Sequence, residues 1–154
     1  MAPGIFRFDE ATFVTVADDE GPFRDFGGPD LNGVVSFTAT LDVVESGVFT
    51  ADGATITTVA DTLGPFSFFS GTVINDGGRV AFDGFLDDGG SGIFTGPDPV
   101  SDKVVALGDT ILGEMVISAQ LCAEGLNNDG EIAFLATLLD GRSGVFTATP
   151  RRSR

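Results

Sequence analysis

The chain has no histidine, no tryptophan and no tyrosine among its 154 residues, and only one cysteine. Without histidine the commonest general base is missing, and with it the Ser-His-Asp and Cys-His nucleophilic systems and imidazole metal sites. Cys122 has no partner for an internal disulfide. Set among Ala119, Leu121 and Ala123, it reads as a small core residue rather than a nucleophile. Bases are scarce too, eight against 23 acids for a net charge of −15. The single lysine, Lys103, follows no glycine-rich phosphate loop. Gly90-Ser91-Gly92-Ile93-Phe94-Thr95-Gly96 misses the dinucleotide-binding spacing and leads into strand sequence instead of a helix. Nucleic acid and anionic membranes are bound through Lys and Arg, so neither is an expected partner. Three of the bases, Arg151, Arg152 and Arg154, form a basic tail over 150–154 that reads as a frayed end. No apolar run approaches the length of a membrane span, and no basic and apolar leader opens the numbering. The expectation is a soluble chain with no export signal as written.

What the chain does contain is glycine, at 22 residues, and phenylalanine, at 15. Few strong helix formers stand in series, so the glycines predict many tight turns and a β fold. Phenylalanine has no polar handle, which suits a core better than a binding face. The apolar fraction of 42% is ordinary for one globular domain of this length.

One hairpin is written three times. Its middle copy is Asn75-Asp76-Gly77-Gly78-Arg79-Val80-Ala81-Phe82, an acidic glycine turn over 83–90, and Ser91-Gly92-Ile93-Phe94-Thr95. The first copy runs from Asp30-Leu31-Asn32-Gly33 to Ser46-Gly47-Val48-Phe49-Thr50, and the third from Asn127-Asn128-Asp129-Gly130 to Ser143-Gly144-Val145-Phe146-Thr147. Outer strands are read at 11–18, 54–61 and 103–109, and Gly4-Ile5-Phe6 reads as the end of a hairpin. Alternation puts Val35, Phe37, Ala39 and Leu41 on one face, matched by Val80, Phe82, Gly84 and Leu86 and by Ile132, Phe134, Ala136 and Leu138. With Phe49, Phe94 and Phe146 these supply a six-phenylalanine core. Residues 115–124 have a composition compatible with a short helix, but their place in the repeat favours an inner strand.

A unit of this size with four short strands matches a propeller blade. The expected architecture is all-β, with antiparallel four-stranded blades at about 19–61, 62–109 and 110–149 in one domain of 1–154. Strands within 4–18 would close a neighbouring blade. Three blades are too few to close a ring, so a homodimer would complete six, strand 12–17 of each chain pairing with 145–147 of the other. Gly4-Ile5-Phe6 and 145–147 compete for one position in that count. The surplus strand also fits a piece of a longer repeat array.

The boxes Asn75-x-x-Gly78-x-x-Ala81-Phe82 and Asn127-x-x-Gly130-x-x-Ala133-Phe134 resemble the tandem-repeat proteins known by their NxxGxxAF motif, and more distantly the blades of TolB-like β-propellers. The first copy departs from the motif, with Asp30 for Asn and Ser36 for Ala. The resemblance implies bacterial proteins, often exported or anchored at the cell surface, and carries over no catalytic residue.

The acidic turns offer the remaining chemistry. Asp87 and Asp88, and Asn127 with Asp129, present hard oxygen donors that suit calcium, without EF-hand spacing. The same residues make good hairpin turns by bonding local backbone, and that reading leads. Carboxylate pairs at Asp18-Asp19-Glu20, Asp87-Asp88 and Asp42 with Glu45 would serve glycoside hydrolysis only across a cleft of defined width. Solvated loops are the preferred reading of them. The expected function is a non-enzymatic scaffold or binding module, with no cofactor unless calcium. A structural module of an exported protein and a metal-assisted hydrolase are the alternatives.

Overall fold

The computed structural model describes residues 3–42, 45–53 and 55–149. Every regular element among them is a β-strand. β1 (Gly4–Asp9) and β2 (Thr12–Asp18) form a hairpin of their own. Sheet I contains β3 (Phe23–Phe26), β4 (Asp30–Asn32), β5 (Val34–Leu41), β6 (Ser46–Asp52) and β7 (Thr55–Asp61), with β3 and β4 both paired to β5. Sheet II is β8 (Phe66–Ile74), β9 (Val80–Leu86), β10 (Ser91–Phe94) and β11 (Lys103–Ala106). Sheet III is β12 (Thr110–Ile111), β13 (Glu114–Leu126), β14 (Ile132–Leu138) and β15 (Ser143–Ala148). In sheets II and III neighbours in sequence are neighbours in the sheet, a plain antiparallel meander; β5, β6 and β7 of sheet I follow the same order, with β3 and β4 both lying along β5.

The turn between the first long strands of each sheet explains the repeated glycine. Gly33, Gly78 and Gly130 have φ of 75°, 76° and 86°. That left-handed backbone is disfavoured for any residue with a Cβ.

Alternation then builds three cores between four layers. Val35, Phe37, Ala39, Phe49 and Ala51 of sheet I, with Phe23, pack under Ile5 and Ala17 of the hairpin. The other face of sheet I offers Val48 and Ala60 to Phe66, Phe69, Ile74, Val80, Phe82 and Phe94 of sheet II. The far face of sheet II offers Val73, Ala81, Ile93 and Val105 to Val116, Leu126, Ile132, Phe134, Ala136 and Leu138 of sheet III. Each of sheets I and II therefore turns a phenylalanine face to the layer before it and a small or β-branched face to the layer after. Close packing demands that asymmetry, because two ring-covered faces would hold the sheets too far apart.

Of the six expected core rings, Phe37, Phe49, Phe82, Phe94 and Phe134 are buried, while Phe146 is half-buried. In sheets I and II the pair is completed by a third ring. Phe66 lies 5.8 Å from Phe82 and 5.1 Å from Phe94, and Phe23 stands likewise to Phe37 and Phe49. Sheet III has Val116, paired with Leu138, where sheet II has Phe66, paired with Leu86, so Phe146 lacks its third neighbour.

Several expectations change in detail. Residues 115–124 are strand, within β13, as their repeat position required. Cys122 is half-buried, because β13 loses register between Leu121 and Leu126 and lifts that side chain out of the core. Gly4-Ile5-Phe6 begins a hairpin instead of ending one. The short strands β3, β4 and β12 were not legible in the repeat pattern. Ala54, read as the start of an outer strand, and the tail at 150–154 lie outside the described residues.

Candidate functional site

The motif turns line up in one row across sheets I to III. Asn75 is 4% exposed and closes its own turn, its Oδ1 accepting the Arg79 N–H at 2.9 Å. Its amide donates to the Asn127 carbonyl of the next turn at 3.0 Å. Beside it the Asp76 N–H donates to Asn128 Oδ1 at 3.1 Å, and Asn128 Nδ2 donates to Asp76 Oδ2 at 2.6 Å. Asn127 repeats the self-closure with the Glu131 N–H at 2.9 Å, and turns its amide to Glu131 Oε2 at 3.0 Å.

The departures in the first copy follow from the same bonds. Asp30 has no amide to donate, so its Oδ2 accepts the Ile74 N–H at 2.7 Å while Asn32 Nδ2 donates to the Ile74 carbonyl at 2.6 Å. Ser36 stands where the motif has Ala and is fully buried, accepting from Thr72 Oγ1 at 3.2 Å. Replacing Asn75 by Ala leaves the Arg79 N–H without its acceptor and removes one of the two donors to the Asn127 carbonyl, which keeps the Gly130 N–H, at an expected cost of about 1–3 kcal/mol. The same change at Asn127 removes the acceptor of the Glu131 N–H and a bond to the Glu131 carboxylate, both at an exposed turn where water can replace them, and is expected to cost about 0.5–1.5 kcal/mol. Urea midpoints of the two variants measure the difference.

The calcium candidates fall at opposite ends of the sheets. Asp87 and Asp88 sit after β9, whereas Asn127 and Asp129 belong to the row of turns that includes the start of β9. Asp88 Oδ1 accepts the Gly90 N–H at 2.9 Å, and the Asp87 N–H donates to the Pro65 carbonyl. Among the described residues no three His, Cys, Asp or Glu side chains are grouped as for one ion. The other acidic pairs serve local structure. Asp42 pairs with Arg24, whose guanidinium also reaches the Asp19 carbonyl at 2.7 Å, and Asp18 Oδ1 accepts the Glu20 N–H at 3.2 Å.

The polar group that sequence reading misplaced is Asp83, read as the start of the turn over 83–90 but lying within β9, which runs to Leu86. It occupies the β9 position held by Thr38 in β5 and Leu135 in β14, a charge inside an otherwise apolar strand. That charge was the available signal. Asp83 lies in a cleft of about 280 Å³ between sheets II and III, with Ser70, Ser91, Ser118 and Gln120 in its lining. Its Oδ1 accepts the Leu121 N–H at 2.9 Å, tying the two sheets. Burial pushes the carboxyl above the ordinary carboxylate range, and the Leu121 bond pulls it part of the way back.

The sign of the pH effect follows. Between the unfolded and folded pKa values the folded chain holds a proton that the unfolded chain has released, so stability falls as pH rises through that window. Below the window both states are protonated and the cost vanishes. Asp83→Asn is expected to raise the melting temperature at pH 7, the gain shrinking as pH falls into the ordinary carboxylate range. A melting series over that range checks it, and a gain that grows on acidification contradicts the assignment.

A scan against protein-family models, a search of curated proteins and a search of solved structures each found no match to the chain.

Proposed function

We propose that the chain is a non-enzymatic scaffold of the β-propeller type. Sheets I, II and III are its blades, and a second copy completes a six-bladed ring that serves as a binding or interaction module. The observation that carries this reading is the row of turns. The polar side chains of the repeated motif close their own turns and bind the next repeat, from Asp30 and Asn32 to Ile74 and from Asn75 and Asp76 to Asn127 and Asn128. A motif whose donors and acceptors are occupied in this way builds an array and leaves no group free to react. The two sheet-to-sheet cores use the same faces in the same order, which supports a constant step from blade to blade.

The resemblance of the motif boxes favours an exported or surface-anchored protein of a bacterium. No helix among the described residues is long and apolar enough to cross a membrane.

Small-angle scattering with light scattering tests the reading. The expected particle is two chains with a hollow centre, and a strictly monomeric, well-folded species at all concentrations ends the ring. Chelator is expected to leave the melting temperature unchanged; a drop would put calcium on the turns at 87–90 or 127–131.

A further inference from the structure

Four strands share one sequence form: Gly4-Ile5-Phe6, Gly47-Val48-Phe49, Gly92-Ile93-Phe94 and Gly144-Val145-Phe146. In the first three an outer strand runs alongside and the glycine has a visible reason. A Cβ would lie 2.7 Å from the Ala17 carbonyl oxygen at Gly4, 2.9 Å from that of Ala60 at Gly47, and 2.4 Å from that of Val105 at Gly92. At Gly144 the nearest atoms are those of the Phe146 ring, at 3.7 and 3.9 Å. β15 is the edge of its sheet, and among the described residues nothing requires its glycine. The next residue tells the same story. Val48 and Ile93 are fully buried and Ile5 is 8% exposed, whereas Val145 is 68% exposed.

The chain also has one outer strand that belongs to no larger sheet, β2. It pairs with β1 as Gly4↔Asp18, Ile5↔Ala17 and Phe6↔Thr15, with an irregularity after the second pair. β6 and β7 pair in the same way, as Gly47↔Asp61, Val48↔Ala60 and Phe49↔Thr58. So do β10 and β11, as Gly92↔Ala106, Ile93↔Val105 and Phe94↔Lys103. The strand form Gly-Val-Phe or Gly-Ile-Phe therefore meets its outer strand in one register wherever it occurs.

We propose that β1 is an internal stand-in, and that β15 of a second copy of this chain displaces it from β2. The register is the shared one, Gly144 against Asp18, Val145 against Ala17 and Phe146 against Thr15. The exchange resolves the competition between β1 and β15 that the repeat count raises, and it rests on the ring reading above. It also brings the uncovered face of sheet III, with Leu135 at 45% and Val145 at 68% exposure, over the Phe23, Phe37 and Phe49 cluster of the other copy. That contact continues the interface already formed twice within the chain, a small or β-branched face against a phenylalanine face. Charge agrees with it. Arg142, two residues before Gly144 and bridged to Asp140 at 2.6 Å within the chain, comes opposite Asp19 and Glu20, a favourable position for a cation in a chain of net charge −15 whose copies otherwise repel. β1 fits its place loosely, since it leaves its own Phe8 61% exposed. Two reciprocal exchanges close a two-fold dimer and leave neither β15 unpaired.

The test measures mass by light scattering over a concentration series of the full chain. Wild type is expected to pass from one chain to two as concentration rises. Gly144→Val and Val145→Asp are expected to stay monomeric, with the circular dichroism and melting temperature of dilute wild type, because both sites are open in the single chain. Gly4→Val drives a side chain at the Ala17 carbonyl, loosens β1, and is expected to shift dimerisation to at least about tenfold lower concentration. Ile5→Asp is expected to shift it the same way if Gly4→Val does not fold. A dimer that survives Gly144→Val and Val145→Asp overturns the exchange and leaves the ring to another surface. Loss of the dimer on loosening β1 overturns it as well. Wild type and Gly4→Val both monomeric throughout overturn the exchange and the ring together.

Discussion

Phe82→Ala is expected to lower the free energy of unfolding by about 3–5 kcal/mol, the range for removing a fully buried ring. Phe82 has no exposed surface and stands among Phe66, Phe69 and Phe94 at centroid distances of 5.8, 5.5 and 6.2 Å. The rings at Phe66 and Phe69 meet it edge-on, at interplanar angles of 71° and 72°, a favoured arrangement for aromatic pairs. Each neighbour is anchored on sheet II, and Val48 and Ala60 close the cluster from sheet I. The walls cannot collapse into the hole without separating two sheets, so the cost belongs near the top of the range. Phe146→Ala is the control. That ring is half-buried at the edge of its cluster and, among the described residues, has one ring beside it, Phe134 at 5.9 Å, so its loss is expected to cost less than half as much. Guanidinium midpoints that rank the two variants the other way would disprove this account of the core.

The second large effect concerns two glycines that look identical in sequence. Gly92→Ala is expected to destabilise by about 1–3 kcal/mol or more, because overpacking against a rigid neighbour forces the backbone to move. The added methyl would meet the Val105 carbonyl oxygen at 2.4 Å and the Ala106 Cα at 2.7 Å, and neither atom can rotate away. β11 would have to leave β10, uncovering Ile93 and Val105. Gly144→Ala, in the same Ser-Gly-Val/Ile-Phe setting, meets nothing closer than 3.7 Å and is expected to stay within about 0.5 kcal/mol of wild type in the single chain. Thermal unfolding of both variants in dilute solution measures the contrast. Equal effects would mean that the glycine answers to the strand itself and not to its neighbour.

The strands could be read from the chain because their signal is local. Alternation in Val35 to Leu41, in Val80 to Leu86 and in Ile132 to Leu138 names a buried face without reference to anything distant. The turn glycines are legible for the same reason, since φ near 80° is a property of one residue. Phe146 and Cys122 were misjudged because their burial depends on other segments: a third ring missing at Val116, and a lapse of register along β13. The acidic turns were identified as turns with their local bonds, as at Asp88 and Gly90, but their distance from one another was invisible. The role of Asn75 beyond its own turn was equally hidden, for its partner lies 52 residues away.

Composition and periodicity sufficed for an all-β chain of copied hairpins, for its turn residues and most of its core rings, and for the loss of every histidine-dependent chemistry. Those depend on residue type and on spacing along a single strand. The folded arrangement alone decided which repeats touch, that Asp83 joins sheets II and III at Leu121, and that β15 carries at Gly144 a glycine no neighbour among the described residues requires. Contact between repeats is set by how whole sheets stack, and a pattern repeated at every copy cannot say which copy has been left uncovered.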